Sequence, residues 1–397
     1  MFMFSRPLAV ITAMPRSAAK RTSDGVIRSR GFSLVELMVA MVIGLLSIII
    51  MMQMLGKYEQ QKRTTTSGDD SLSSGAIALS GLERDIRQAG LGFMSVQVIG
   101  CNITGLISGG AQFPLVPIMI NPGGASWGDT GDTVLITSGN ANGAGEGNLI
   151  NSLPASAYDV QAPSMFVTGE KVFAAPENRL STCLLDLQNV TDIQQSNIVV
   201  GTQYATMLGG RLYSLGTKPS VTAYAVKNGN LAVCDHMAND CSTGGTWVPI
   251  ADNVVSLQAQ YGFDTNVPLM DGVIDVWDTT DASITSLGVP IGGPQYTNAC
   301  QTLRMAAVRV ALIARSSQPE KTPDWPNLNT HITPVAPTWL GSAASAPSGA
   351  PETLTASPIT VPVVSETWPT WQDFRYRVFE TVIPLRNVTS QGVVSKC

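Results

Sequence analysis

The chain has 397 residues, of which 13% are charged, with 37 Gly, 24 Pro and a net charge of −5. That length leaves room for more than one domain, and the negative balance excludes a chain-wide basic surface for nucleic acid. Low charge with abundant Gly, Pro, Ser, Thr and Asn fits a loop-rich extracellular β protein better than a cytosolic enzyme.

Residues 1–31 form a basic leader, with Arg6, Arg16, Lys20, Arg21, Arg28 and Arg30 against the single acid Asp24. The positive-inside rule keeps such a leader cytoplasmic, so everything after Lys57 is expected outside. The apolar run Pro7 to Met14 is too short to span a bilayer, and a start at Met14 would leave a more compact basic leader. Taking the leader's six bases and one acid away from the net −5 leaves about −10 for the remainder.

Between Glu36 and Lys57 lie 20 uncharged residues, which at helical rise extend roughly 30 Å, enough to cross a bilayer core. Residues 32–56 are therefore a membrane helix with one carboxylate, Glu36, in its first turns. An acid within such a helix costs about 2.5–3.5 kcal/mol at mid-bilayer and seeks a cation. Cleavage between Gly31 and Phe32 would create one, a new amine at the helix start about one turn from Glu36.

Residues 57–91 continue as an amphipathic helix, with Leu72, Ala76, Leu79, Leu82 and Ile86 at three- and four-residue steps and Gly90 as its stop. Thr64 to Thr66, Gly68, Gly75 and Gly81 weaken it, so an interruption is expected near Thr64 to Asp70.

From about Gly92 to Cys397 the periodicity is alternating. Thr133 to Thr137, Val221 to Val226, Val254 to Tyr261, Met305 to Ala314 and Phe374 to Ile383 read as strands. Val255, Leu257, Ala259 and Tyr261 alternate with Ser256, Gln258 and Gln260, which predicts one buried and one wet face. In the next strand Val308, Val310 and Leu312 oppose Arg309 and Ala311, and in the last Phe374, Tyr376 and Val378 oppose Arg375 and Arg377. An antiparallel sheet laid on the helix would bury these faces, giving an α+β fold with long loops. Residues 316–370 hold ten prolines with Trp325, Trp339 and Trp368, and read as a self-packed insertion pinned by its aromatics. Gly139 to Asn148 is a Gly/Asn loop without the Lys-Ser/Thr of a phosphate cradle.

The chemical candidates are few. Cys101, Cys183, Cys234, Cys241, Cys300 and Cys397 all follow the membrane helix and read as disulfides, with Cys234–Cys241 the one local pair. Gly124-Ala-Ser-Trp-Gly128 matches a nucleophile elbow around Ser126, but a turn into a strand follows it, not a helix. Asp129-Thr-Gly131 has no second copy and reads as the turn that starts strand Thr133 to Thr137. Only His236 and His331 are available for zinc, and no ligand quartet has suitable spacing. Asp264, Asp271 and Asp275, with Asp278 and Asp281 nearby, are calcium candidates, although a D-x-D-x-D-G order is absent and solvated turn acids are commoner. No cofactor is implied, and the poor supply of histidine argues against an enzyme.

Gly31-Phe-Ser-Leu-Val-Glu36 before an apolar helix resembles the processing signal of type IV prepilins and type II secretion pseudopilins. The resemblance implies cleavage after Gly31 by a prepilin peptidase, methylation of the Phe32 amine, and docking of Glu36 in a filament. Glu83-Arg-Asp-Ile-Arg-Gln-Ala-Gly-Leu-Gly92, Val255 to Asp264, Arg304 to Ser316 and Arg375 to Asn387 further resemble PilW-type minor pilins. That family implies an inner-membrane subunit that primes pilus assembly near the tip with other minor pilins and the major pilin, supporting twitching motility. The alternatives are a minor pseudopilin of type II secretion and a pilus-tip adhesin.

Overall fold

The structure is a computed structural model and describes residues 31–140, 145–266, 270–278, 296–320, 331–339, 341, 357–358, 370–390 and 397. Residues 1–30, Trp325, Trp368 and Asp281 lie outside the described residues, as does much of the proline-rich insertion. Two compact units are present, residues 1–60 and 61–397.

Helix α1 runs from Leu34 to Gln88 over 55 residues. The interruption expected near Thr64 to Asp70 is absent. One reason is visible at Thr65, whose Oγ1 donates to the Gln61 carbonyl at 2.9 Å, so this hydroxyl is satisfied inside the helix without opening it. The C-terminal end falls where the sequence places it. Gly90 adopts φ 82°, its N–H donates to the Thr137 carbonyl at 2.9 Å, and Asn387 Nδ2 donates to the carbonyls of Gln88 at 3.3 Å and Ala89 at 2.9 Å. A side chain from the far end of the chain thus caps carbonyls that no residue inside the helix can reach.

The buried stripe of α1 in the second unit is Gly75, Ala78, Leu82 and Ile86, with Ala89 buried just past its end. Leu72 and Ala76, expected in it, are exposed. The stripe starts where the sheet first meets the helix: a Cβ on Gly75 would lie 2.2 Å from the Phe379 ring, so the smallest residue permits the closest approach. Ser74 Oγ adds a 2.8 Å bond to the Asp252 carbonyl.

Against this stripe lies a four-stranded antiparallel sheet in the order Val276–Asp278, Val254–Phe263, Met305–Arg315, Tyr376–Pro384. Leu257, Ala259, Tyr261 and Phe263 share one core with Val308, Val310, Leu312 and Ile383 and with Leu82 and Ile86 of the helix. Two expectations change here. A register shift between Val254 and Ser256 sends Val255 to the opposite face, where it packs with Ala311 and Ile313. That face is also not wet: Trp339 of the insertion covers it, 5% exposed, with Tyr376 and Val378 beside it. Trp339 sits in a two-residue strand paired with Ser357–Pro358 and packs on the sheet face; the self-packing expected of the rest of the insertion lies outside the described residues. The last strand begins at Tyr376, after a 3-10 turn at Trp371–Asp373 that leaves Phe374 outside the strand.

A second sheet has the order Val248–Ala251, Asn230–Asp235, Ser220–Lys227, Thr130–Ser138, Ile118–Ile120. It is joined to the first at the start of strand Thr130–Ser138. Thr130 Oγ1 donates to the Val255 carbonyl at 2.6 Å, and Asp132 Oδ2 accepts from the Ala259 N–H at 2.9 Å. Gly131 between them has φ 72°, and a Cβ there would stand 2.2 Å from the Leu257 carbonyl oxygen, so no side chain fits. Tyr224 of the same sheet donates its hydroxyl to Asp85 of α1 at 2.5 Å.

A seven-stranded sheet, not anticipated, runs in the order Asp192–Gln194, Asn197–Val199, Ala157–Val160, Asn148–Ser152, Arg211–Gly216, Lys171–Ala175, Gln188–Asn189. It has its own core of Ile150, Tyr158, Val160, Phe166, Val172, Ile198 and Leu212. Its strands are two to six residues long, too short for alternation to register as a pattern. Three disulfides are present, Cys101–Cys183, Cys234–Cys241 and Cys300–Cys397.

Candidate functional site

The N-terminal end of α1 carries the residues that the sequence marks for processing. Phe32 precedes the helix and is 80% exposed, the first helical bond runs from Leu37 N–H to the Ser33 carbonyl at 3.1 Å, and Glu36 lies in the first turn. Leu34–Glu59 is a 26-residue segment long and apolar enough to cross a membrane, and none of its most apolar window is buried. Among the described residues nothing lies within 4 Å of a Cβ built on Gly31.

In the head the candidate residues take structural places. Ser126 Oγ lies 3.2 Å from Thr133 Oγ1 and accepts from the Gly128 N–H at 3.1 Å, holding the turn before the strand. Asp129 accepts from the Asn228 N–H at 2.7 Å and pairs with Lys227 at 3.4 Å, which makes it a turn residue as expected. His236, 7% exposed, tilts over Trp127 at 5.1 Å, accepts from the Cys241 N–H on Nδ1 at 3.3 Å, and is held below its ordinary pKa by burial. His331 faces Asp373 at 3.4 Å.

Asp264, Asp271 and Asp275 do share one loop region, but each carboxylate accepts backbone N–H groups: Asp264 from Asn266 and Gly272, Asp271 from Val273, Asp275 from Thr265. The cation beside Asp264 is Arg304, 3% exposed, which donates to the carbonyls of Asp264 at 3.0 Å, Asn266 at 2.8 Å and Cys397 at 2.7 Å. Among the described residues no group of three His, Cys, Asp or Glu side chains is placed to hold a metal. Sequence reasoning missed Arg304, and also Arg179, 7% exposed, whose Nη1 donates to the carbonyls of Val96 at 3.0 Å and Ile99 at 2.9 Å. A buried arginine that grips carbonyls far along the chain leaves no local signal.

Two family models match the chain. The prokaryotic N-terminal methylation motif covers residues 27–52, over the start of α1. The type IV pilus-assembly protein W family, PilW, covers residues 223–387, which takes in the whole four-stranded sheet and Asn387, the helix cap. The chain is PilW-like and type IV pilin-like. No curated protein and no solved structure matches it. The methylation motif at the start of α1 and the PilW match on the sheet packed against its second half tie this pilin-like chain to the type IV pilus. The seven-stranded sheet falls between the two matches, as do Cys101 and Cys183.

Proposed function

We propose that this PilW-like chain is a minor pilin that takes part in priming pilus assembly near the tip. Its leader is removed after Gly31 by a prepilin peptidase, and the new Phe32 amine is methylated. Glu36 then pairs with the Phe32 amine of a neighbouring subunit while the exposed face of Leu34–Glu59 supplies the filament core. The observation that carries this is a single carboxylate in the first turn of a long, unburied apolar helix, four residues after Phe32. In lipid an unpaired carboxylate is costly, so pairing across subunits favours the polymer over the monomer. Helices packed laterally approach to about 8–10 Å, and a head with five sheets among its described residues is bulky for a subunit repeated along such a fibre. That supports a terminal place among other minor pilins, with the head outside the inner membrane.

The test is Glu36→Ala. The mature protein should begin at Phe32 by mass spectrometry, as in wild type, while its recovery in sheared fibres falls about tenfold or more, equivalent to about 1.4 kcal/mol. Equal recovery of the two proteins in fibres counts against the pairing. Deletion should abolish twitching and spare exoprotein secretion; the reverse phenotype would move the chain to a secretion pseudopilus.

A further inference from the structure

A pocket of about 270 Å³ is lined by the seven-stranded sheet and by strands Asn102–Thr104 and Leu184–Asp186 of a separate three-stranded sheet, all in a stretch that neither family model covers. We infer that this pocket binds one neutral sugar ring.

Its volume lies below the roughly 300 Å³ at which drug-sized sites begin, so it suits a single ring and not an extended ligand. Its walls are of two kinds. Val172, Ala174 and Leu212 are buried in the core of the seven-stranded sheet and give an apolar floor. The opposite wall is a fixed polar set around Asp186, whose carboxylate accepts from Thr104 Oγ1 at 3.1 Å, Gln188 Nε2 at 2.9 Å and the Tyr204 hydroxyl at 3.1 Å. Gln188 is itself held, its Oε1 accepting from the Thr202 N–H at 2.8 Å. These bonds set the rotamers of Asp186, Gln188 and Tyr204 before any ligand arrives, which lowers the ordering cost of binding.

A carboxylate offers about four acceptor sites and an amide two donors. Three bonds to Asp186 and one donated by Gln188 leave one acceptor and one donor, the pair that two neighbouring hydroxyls need. Tyr204 stands at the rim, 41% exposed, its ring free to lie against the C–H face of a sugar while its hydroxyl stays on Asp186. No Lys, Arg or His lines the pocket. An anionic ligand would meet Asp186 without a counter-charge, so an acidic sugar is disfavoured against a neutral one.

Full-length protein in detergent micelles, titrated with glucose, galactose, mannose, N-acetylglucosamine and the anionic sialic acid, tests this by saturation-transfer NMR. The expected result is transfer to at least one neutral sugar, strongest at the ring C–H protons, and none to sialic acid. Tyr204→Ala and Asp186→Asn should each weaken binding about tenfold or more, which is about 1.4 kcal/mol, with an unchanged melting temperature for Tyr204→Ala. Absence of transfer to every neutral sugar, equal binding by both variants, or a preference for sialic acid would overturn the inference. Fibre recovery is not read in this experiment, so its failure leaves the pilus reading standing.

Discussion

Asp132 is a carboxylate wedged between two sheets, and its position shows what a single residue contributes to this head. Its Oδ1 accepts from Asn121 Nδ2 at 2.7 Å and its Oδ2 from the Ala259 N–H at 2.9 Å. Burial raises its pKa above the ordinary 3.8, and the bonds from Asn121 and Ala259 pull the other way without cancelling it. A carboxyl whose folded pKa is raised gives stability that is full below 3.8 and is lost as pH rises through the folded value. Asp132→Asn removes that titration. Thermal melts at stepped pH should therefore show wild type losing stability relative to the variant as pH climbs from 3.8; a difference constant with pH would contradict it. In the sequence, Asp129 to Gly131 is readable as a turn. The partner of Asp132 is not, because Ala259 follows it by more than a hundred residues and only the sheet joint brings them together.

Elements depend on contacts of the same kind. Helix α1 is legible from its apolar run and its three- and four-residue steps, and its stop at Gly90 is legible too. Its docking phase was not, because glycine in a helix is read as a weakness, whereas Gly75 is where the Phe379 ring rests. Gly75→Ala in a free helix would stabilise by about 0.5–1 kcal/mol, but overpacking typically costs about 1–3 kcal/mol. At a separation of 2.2 Å the clash wins, so the variant should lose roughly 1 kcal/mol in urea unfolding. In a Phe379→Leu background the same substitution should become neutral or stabilising. Equal effects in both backgrounds would show that the ring is not the cause. The wet face expected for strand Val254–Phe263 failed for a related reason: the alternation is genuine, but Trp339 covers the polar side from a proline-rich segment that carries no strand pattern of its own.

For the molecule as a whole, the disulfides tie distant stretches of chain within one hydrophobic core, in or against which all six cysteines pack. Cys101–Cys183 and Cys300–Cys397 close loops of separation 82 and 97, whereas Cys234–Cys241 closes one of 7. Chain-entropy scaling gives about 4.5 kcal/mol for each long loop and about 2.4 kcal/mol for the short one. Paired Cys→Ala replacement at 101 and 183 should lower the denaturation midpoint more than replacement at 234 and 241, measured under oxidising conditions. The opposite order would mean that the short loop has a role beyond cross-linking. Cys300–Cys397 works with Arg304, which bonds the Cys397 carbonyl and the Asp264 loop together.

Local composition alone determined the long apolar helix, the acid in its first turn, the stop at Gly90, the five long strands and the pairing of Cys234 with Cys241. Each is a signal contained within a few turns or one strand length, where periodicity and turn chemistry act directly. Tertiary structure decided the two long disulfides, the Asn387 cap, the Asp132 joint, the cover of Trp339 and the seven-stranded sheet with its pocket. Those rest on residues tens to hundreds of positions apart or on strands too short to carry a period, so they exist only once the chain has closed on itself.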